Sequence, residues 1–266
     1  MTTMAEFSAK DVMALRQKTG MPMMECKKAL TRCNGDMAAA EEWLRENATT
    51  KMEARTERTA GEGRIGIANK DSDAVIVEVR TETDFTARNE DFVNMVGDIT
   101  LMALKAPAGP IEVTDEMQAR IDDVRTVTRE NVHFARGERL HGGSFGQYVH
   151  HDGKRAALVQ IDGSADETTL KGLCQHIVFH DPAGISEDDV PAEKVQEIRK
   201  EALAEAKEAG KNDEIAGKIA DGKVRRYLED NTLLHQKYVL DESTTIKEML
   251  PAGVTIKRFI RYTLGA

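Results

Sequence analysis

The chain has few of the groups that cross-link or anchor a protein. Its 266 residues contain three cysteines, and these form no Cys-x-x-Cys pair. Such a sparse, odd set argues against a disulfide scaffold or a zinc ribbon and is typical of a reducing compartment. No segment approaches the apolar length of a membrane span, and the N-terminus shows no basic flank followed by an apolar run. We therefore expect a cytoplasmic protein with no signal peptide and no membrane partner.

Aromatic residues are also few. They make up 5% of the chain, against 40% apolar and 31% charged residues, a balance that favours helices packed through aliphatic, Met and Ala side chains. The formal charge is −9, from 37 basic and 46 acidic residues. Because an anionic protein is not attracted to phosphate backbones, we expect no direct nucleic-acid partner, although a local basic face is not excluded.

The nucleotide-binding motifs are incomplete. Residues 61–66, "GEGRIG", match Gly-x-Gly-x-x-Gly, but these glycines precede a strand instead of joining a strand to a helix. A flexible entry into the strand is the simpler interpretation. Residues 83–86, "TDFT", have Thr where the kinase motif has Gly, and neither the other kinase motifs nor a P-loop is found. We expect no cofactor and no enzymatic reaction.

Histidine pairs occur in two places. In "HIVFH", residues 176–180, they lie one helical turn apart, but Ile177 stands where a zincin needs Glu, and no third ligand is evident. A packed or interface pair is favoured, and no metal is predicted. His150 and His151 fall in a predicted turn, where they are either solvated or in contact with a partner.

Three short helices are predicted over residues 8–47. Ser8 and Asp11 are spaced as an N-cap and its capping acid. Pro22 can begin the second helix, in which Met23 and Met24 fall at the helical spacing of its apolar residues. A unit of this size has a small core and modest stability.

A hairpin-plus-helix pattern occurs twice. Residues 63–79 and 143–161 each begin Gly-x-apolar-Gly, continue as a strand, turn at an Asp-containing segment and return as an apolar strand. A helical segment follows each, which predicts an internal duplication. Between the copies, the sequence predicts a capped helix that starts near Thr114 and a strand in "VHFARGERL", residues 132–140.

The sequence of the last third of the chain predicts a projecting pair of helices, called the arm below. Residues 192–210 and 212–234 are charged helical stretches with narrow apolar stripes, and a sharp break separates them. Narrow stripes predict an antiparallel helical hairpin that projects outward. Residues 241–265 predict a short helix followed by a strand.

These segments together predict an α+β fold with a helical appendage at each end of a duplicated core. The expected boundaries are 1–50 for the N-terminal module, 51–62 for a linker, 63–140 for the first core subdomain, 141–190 for the first part of the second, 191–235 for the helical arm, and 236–266 for completion of the second subdomain and the C-terminal module.

Phe85 is out of place in this pattern. It follows a half-buried strand that ends near Arg80 and stands in the polar run Thr81–Thr86. The ring either folds back as a lid beside Phe92 or projects to enter another molecule. The residues alone favour the first alternative.

Two ordered segments resemble the signatures of the bacterial elongation factor Ts family. Residues 15–36, "LRQKTGMPMMECKKALTRCNGD", are similar to the family's N-terminal signature, and Thr83, Asp84 and Phe85 match the end of its second one. The resemblance extends through the duplicated core, the arm and the final strand. This chain departs from the family pattern at Arg80, Glu82 and Thr86, next to the second signature.

The resemblance implies a guanine-nucleotide exchange factor that binds elongation factor Tu, both GDP-bound and nucleotide-free, and promotes GDP release. In the family, the Phe of Thr-Asp-Phe wedges between helices of the Tu nucleotide domain and disturbs its magnesium and phosphate contacts. We expect Asp84 to accept hydrogen bonds from the partner, or to cap the next turn and hold Phe85 outward. The resemblance also implies an N-terminal bundle of the ubiquitin-associated type and allows a homodimer within a Tu–Ts heterotetramer.

The resemblance further implies three groups of partner-binding residues. They are Thr83, Asp84, Phe85 and Thr86 for magnesium dislocation in the partner; Leu15, Arg16, Thr19, Gly20, Met23 and Met24 in the N-terminal module; and Tyr148 and His150 in the second half of the core.

Two other functions stay open on the sequence alone. One is an adaptor that binds peptides or ubiquitin-like proteins through the N-terminal module. The other is a dinucleotide enzyme that uses residues 61–66, which the absence of a thermal shift with NAD would dismiss.

Overall fold

The computed structural model describes residues 7–53 and 58–265, except for the side chains of residues 48–53. The predicted linker therefore lies partly outside the described residues. The helices are α1 (Ala9–Thr19), α2 (Met23–Arg32), α3 (Met37–Glu53), α4 (Asp84–Arg88), α5 (Glu90–Ala103), α6 (Asp115–Thr128), α7 (Glu167–His180), α8 (Ala192–Glu208), α9 (Asp213–Asn231) and α10 (Ile246–Met249), with a short 3-10 helix at Glu187–Asp189. The strands are β1 (Glu62–Lys70), β2 (Asp73–Thr81), β3 (Gly109–Pro110), β4 (His133–His141), β5 (Ser144–Val149), β6 (Arg155–Asp162), β7 (Lys237–Tyr238), β8 (Asp241–Thr245) and β9 (Thr255–Thr263).

The chain is an α+β protein, as the sequence predicts. Its described residues divide into two compact units, the first within Met1–Gly66 and Val77–Glu138 with Gly265, and the second within Ile67–Ile76 and Arg139–Leu264. Strands β1, β2, β4 and β3 form a four-stranded sheet in that order, and β5, β6 and β9 form a three-stranded sheet.

Three helices form the N-terminal module, and the predicted start signal is confirmed. Ser8 and Asp11 make a reciprocal capping box at the start of α1, which satisfies two backbone N–H groups that the helix leaves unpaired. Gly20 ends α1 in the left-handed conformation, with φ of 67°, and Pro22 precedes α2. The buried core of the module consists of Val12, Leu15, Cys26, Ala29, Leu30, Ala40 and Leu44.

Helices α5 and α6 supply the core of the rest of the first unit. Thr114 caps α6 at the predicted position by accepting the N–H of Met117. Phe92 is fully buried. The cluster comprises Val79, Ala87, Phe92, Met95, Val96, Ile99, Ile121, Val124 and Val132.

Close packing explains why both copies of the repeat contain the Gly-x-apolar-Gly segment. A Cβ at Gly63 or at Gly143 would collide with a backbone carbonyl of the neighbouring strand, and both residues have positive φ. A Cβ at Gly66 would collide with Thr100 of α5, and one at Gly146 would crowd Leu170 of α7. Residues 63–66 therefore form a packed part of β1. The interpretation as a flexible entry is wrong.

In the second unit, α7 covers an antiparallel sheet. Strand β6 pairs with β5 on one side and with β9 on the other. Residues 156–161 of β6 are all buried, which is typical of a central strand covered on both faces. The core consists of Ala157, Val159, Ile161, Leu170, Leu173, Cys174, Ile177, Val178, Leu233, Ile246 and Val254.

Helices α8 and α9 pack against each other, as predicted for the arm. Their buried contacts are small: Ala202 and Ala206 on α8, and Ala216 and Ala220 on α9. Small residues let two helices approach closely, so the arm is held by a narrow alanine seam.

The C-terminal segment differs from the prediction. The short helix α10 and the strand β9 are present, but residues 241–245 form β8 and pair with β7. The polar sequence "DESTT" has no apolar alternation, so periodicity gave no strand signal there.

Candidate partner-binding surfaces

Phe85 lies in a short helix and not in an irregular turn. Thr83 is the N-cap of α4, because its Oγ1 accepts the N–H of Thr86 at 3.3 Å. Thr86 and Ala87 face the interior and are 8% and 3% exposed. Phe85 faces the other way, with 83% of its surface exposed. The interpretation of the ring as a lid beside Phe92 is therefore wrong.

A distant carboxylate binds the segment before α4. Glu130 Oε2 accepts the hydroxyl of Thr81 at 2.7 Å and the N–H of Thr83 at 3.0 Å. Its Oε1 accepts the hydroxyl of Thr83 at 2.7 Å. Burial raises the pKa of Glu130, and the donors from Thr83 and Thr81 lower it by more, so that this pKa lies below its usual value. The carboxylate is thus ionised at neutral pH. The sequence analysis missed Glu130, and no local pattern marks it.

The departures from the family pattern have structural partners. Arg80 contacts the fully buried Glu78 at 2.6 Å. Glu82 Oε1 accepts the N–H of Asn131 at 2.7 Å. Thr86 lies on the buried face of α4. All three residues contact or pack against other parts of the protein, and the ring of Phe85 stays exposed.

Asp84 has a different local role from the one expected. The cap of α4 is Thr83, and Asn89 caps the next helix by accepting the N–H of Asp91 at 2.8 Å. Asp84 instead pairs with Arg88 at 3.2 Å across one turn of α4. Its carboxylate also lies in the first turn, where the helix dipole favours negative charge.

The predicted residues of the N-terminal module fall into two groups. Met23 and Met24 are 47% and 72% exposed, and Arg16 and Gly20 are also exposed. Although both methionines fall at the helical spacing of the apolar residues of α2, neither belongs to the buried core of the bundle. Thr19 is partly buried and donates its hydroxyl to the carbonyl of Leu15 at 2.7 Å. Leu15 is fully buried, so it packs the bundle and offers no contact surface.

Tyr148 and His150 lie together at the end of β5. The hydroxyl of Tyr148 is 3.0 Å from Nδ1 of His150, and both side chains are partly exposed. The ring of His150 also lies 4.2 Å from that of His151, centroid to centroid. Tyr148 borders an open groove of about 740 Å³, which is lined by residues that include Ile67, Phe145, Leu170 and Lys171.

Protein partners pack His176, the first member of the second histidine pair. The N–H of Val239 donates to Nδ1 of the fully buried His176 at 3.2 Å. Its Nε2 lies 3.0 Å from Oε1 of Gln236, an atom that can only accept, so Nε2 carries the proton. Burial lowers the pKa of His176 to about 4, and the nearby His180 contributes in the same direction. Since both nitrogens are used, His176 has no free ligand atom.

Within residues 7–53 and 58–265, there is no group of three or more His, Cys, Asp or Glu side chains placed to hold a metal ion. Among the same residues, no helix is both long and apolar enough to span a membrane.

Comparison with known proteins identifies the family. The family model described as "Elongation factor TS" matches residues 82–266, and the one described as "Elongation factor Ts, mitochondrial, N-terminal" matches residues 2–51. A protein named elongation factor Ts from Methylobacillus flagellatus is 37% identical over 279 residues, covering 98% of this chain and 93% of that protein. One of the same name from Azoarcus sp. is 37% identical over 274 residues, covering 98% of this chain and 92% of its own length. The chain therefore belongs to the elongation factor Ts family.

Proposed function

We propose that this chain is a guanine-nucleotide exchange factor that binds elongation factor Tu and promotes the release of GDP. The finer part of the proposal is that Phe85 acts as a wedge. Its ring enters the nucleotide domain of the partner and displaces the groups that hold magnesium and phosphate. The chain makes and breaks no covalent bond in this process.

An exchange factor works through differences in binding. If it weakens GDP binding to the partner, GDP must weaken binding of the factor by the same ratio. A rigid apolar group produces such a difference when its pocket exists only in the displaced conformation of the partner. The group must then be exposed before the two proteins meet.

The observation that carries the proposal is the exposure of Phe85, at 83%. An exposed aromatic ring has an unfavourable contact with water, which burial in a partner would remove. The ring stands on α4, whose other face is buried through Thr86 and Ala87. The backbone that carries the ring is thus held against the core of its own unit.

The expected size of the effect follows from the size of the ring. Burying a Phe side chain contributes about 1.5–3 kcal/mol. Truncating an aromatic anchor of an interface to Ala often costs about 2 kcal/mol or more in binding free energy. A coupling of about 3 kcal/mol corresponds to roughly a hundredfold change in nucleotide affinity. A single wedge can therefore supply a large part of the coupling.

Two other surfaces supply binding that is independent of the wedge in this proposal. One comprises the exposed residues Arg16, Met23 and Met24 of the N-terminal module, since Met side chains adapt to an apolar partner surface. The other comprises Tyr148 and His150. Contacts that are equal for both states of the partner raise affinity without changing the release of GDP at saturation.

The experiment is GDP release from Tu loaded with fluorescent GDP, with and without Phe85→Ala. The matched control is Phe179→Ala, because Phe179 is also an exposed phenylalanine, at 71%. We expect Phe85→Ala to reduce the stimulated rate by about tenfold or more, whereas Phe179→Ala retains it. An unchanged rate for Phe85→Ala would rule out the wedge.

A second candidate function is supported by the exposed methionines. Met24 is 72% exposed on a small bundle, which fits an adaptor that binds a peptide or a ubiquitin-like protein. A pull-down with Tu separates the two functions. Both methionines are changed to Ser. If the chain is an exchange factor, it keeps partial binding to Tu through its core. If it binds its partners through the N-terminal module alone, all binding is lost.

A further inference from the structure

The carboxylate of Glu130 binds the two threonines that lie just before Phe85. It accepts the hydroxyl of Thr81 and both the N–H and the hydroxyl of Thr83, at 2.7, 3.0 and 2.7 Å. Thr81 is fully buried, and the separation in sequence is 47–49 residues. The contact is thus a long-range tertiary one between the end of β2 and the segment after α6.

The contact with Thr83 fixes its orientation at two points. The backbone N–H and the side-chain hydroxyl of one residue bind the two oxygens of one carboxylate. The same hydroxyl oxygen accepts the N–H of Thr86, so the first turn of α4 is linked to Glu130 through Thr83. Bonds to an ionised acceptor are about twice as strong as neutral ones.

Helix α4 needs this external support. It has 5 residues, and an isolated helix of that length is unstable in water. Phe85 follows Thr83 by two positions, so the direction of its ring depends on the direction in which α4 leaves Thr83. The inner side of α4 is held by the burial of Thr86 and Ala87. Glu130 holds its beginning.

The acceptor is itself held in place. Arg129 ends α6 in the left-handed conformation, with φ of 62°, which turns the chain sharply at Glu130. A second contact has its acceptor on the other segment: Glu82, just before α4, accepts the N–H of Asn131 at 2.7 Å. The segment before α4 and the segment after α6 therefore each supply one carboxylate that binds the other segment.

We propose that Glu130 is a positioning residue for nucleotide exchange, which orients α4 so that Phe85 points outward before the partner binds. The inference rests on the proposed function of Phe85. A wedge that is ordered in advance loses little conformational freedom on binding. Its contact energy is then available to displace groups in the partner.

The test is Glu130→Gln in the GDP-release assay with Tu, measured over a range of Tu–GDP concentrations. Gln keeps the size of the side chain but replaces one acceptor oxygen with a donor amide. We expect the maximal release rate to fall about fivefold to tenfold, the equivalent of losing one ordinary hydrogen bond. We expect the KM for Tu–GDP to change by less than about twofold, because the other contacts are intact. The charge control is Asp123→Asn on an exposed position of α6, which should behave as the unchanged protein.

A double-mutant cycle shows whether Glu130 acts through Phe85. In the Phe85→Ala background, Glu130→Gln should cause no further loss, since there is no ring left to orient. Thr81→Val provides a second route if Glu130→Gln folds poorly, because it removes a hydroxyl that Glu130 binds and leaves the N-cap of α4 at Thr83 intact. It too should lower the maximal rate in the presence of Phe85 and not in its absence.

The outcomes separate the two proposals. A normal rate for Phe85→Ala would refute the proposed function. A defective Phe85→Ala with a normal Glu130→Gln would refute this inference alone. So would a loss that adds in full to that of Phe85→Ala, or a rise in KM at an unchanged maximal rate, since either would mean that Glu130 acts elsewhere.

Discussion

The buried His176 should make the stability of the second unit depend on pH. Its imidazole accepts the N–H of Val239 and donates to Gln236. Protonation would place a second N–H opposite that of Val239, and two donors cannot bond to each other. Burial therefore lowers the pKa of His176 from 6.5 to about 4, and the neutral form is the one that the fold accommodates.

The sign and size of the effect follow from this difference. Below pH 6.5 the unfolded chain binds a proton that the folded chain does not, so stability is complete above pH 6.5 and is lost as the pH falls towards 4. The full difference between the two pKa values corresponds to about 3 kcal/mol in the free energy of unfolding, of which about 2 kcal/mol is lost by pH 5. His180, whose pKa burial also lowers, adds in the same direction.

The assay compares the free energy of urea unfolding at pH 7 and pH 5, followed by circular dichroism. The perturbation is His176→Asn, which keeps an acceptor near the N–H of Val239 and removes the titration. Its loss between the two pH values should be smaller than that of the unchanged chain by about 2 kcal/mol. The control is His151→Asn, at an exposed position, which should keep the full loss. Equal pH dependence in the two variants, or an NMR titration of His176 near pH 6.5, would refute the reasoning.

Three further changes test the packing. Leu15→Ala should destabilise the N-terminal bundle by about 2–5 kcal/mol, measured by urea unfolding with the fluorescence of Trp43, the single tryptophan; an unchanged midpoint would contradict its buried position. Gly66→Ala should cost about 1–3 kcal/mol because its Cβ meets α5, whereas Gly61→Ala, which has open space, should be neutral in the same thermal melt. Ala216→Leu should separate α8 from α9 by overfilling their seam, seen as faster amide hydrogen exchange along the arm; unchanged exchange would show that the seam has room.

Local signals predicted much of the fold. The capping residues Ser8 and Thr114 start α1 and α6 at the predicted positions, because a cap requires only its own helix. The repeated glycines predicted the two hairpins, since the same close contacts recur in each. The narrow stripes predicted two paired helices in the arm, but the seam between them is made of alanines and leaves Ile215 exposed.

Tertiary contacts account for what the sequence did not reveal. Met23 and Met24 fit a helical apolar pattern, yet the bundle fills its core from other positions and leaves them outside. An apolar ring is usually buried, which favours a lid for Phe85; its observed direction depends on tertiary contacts of α4, namely the burial of Thr86 and Ala87 and the bonds of Thr83 to Glu130. Glu130 gave no signal because its partners lie 47–49 residues away in the chain. The contacts of Tyr148 and His150 with a partner stay a prediction, as does a cytoplasmic location.

The most direct test of the central claim is the ratio of affinities for nucleotide-free and GDP-bound Tu. Calorimetry should give, for the unchanged chain, a preference for nucleotide-free Tu on the order of a hundredfold. Phe85→Ala should reduce this ratio by about tenfold or more, with most of the loss in binding to the nucleotide-free form. If Phe85→Ala weakens binding to both forms equally, or to neither, the ring does not couple this protein to the nucleotide and the account is contradicted.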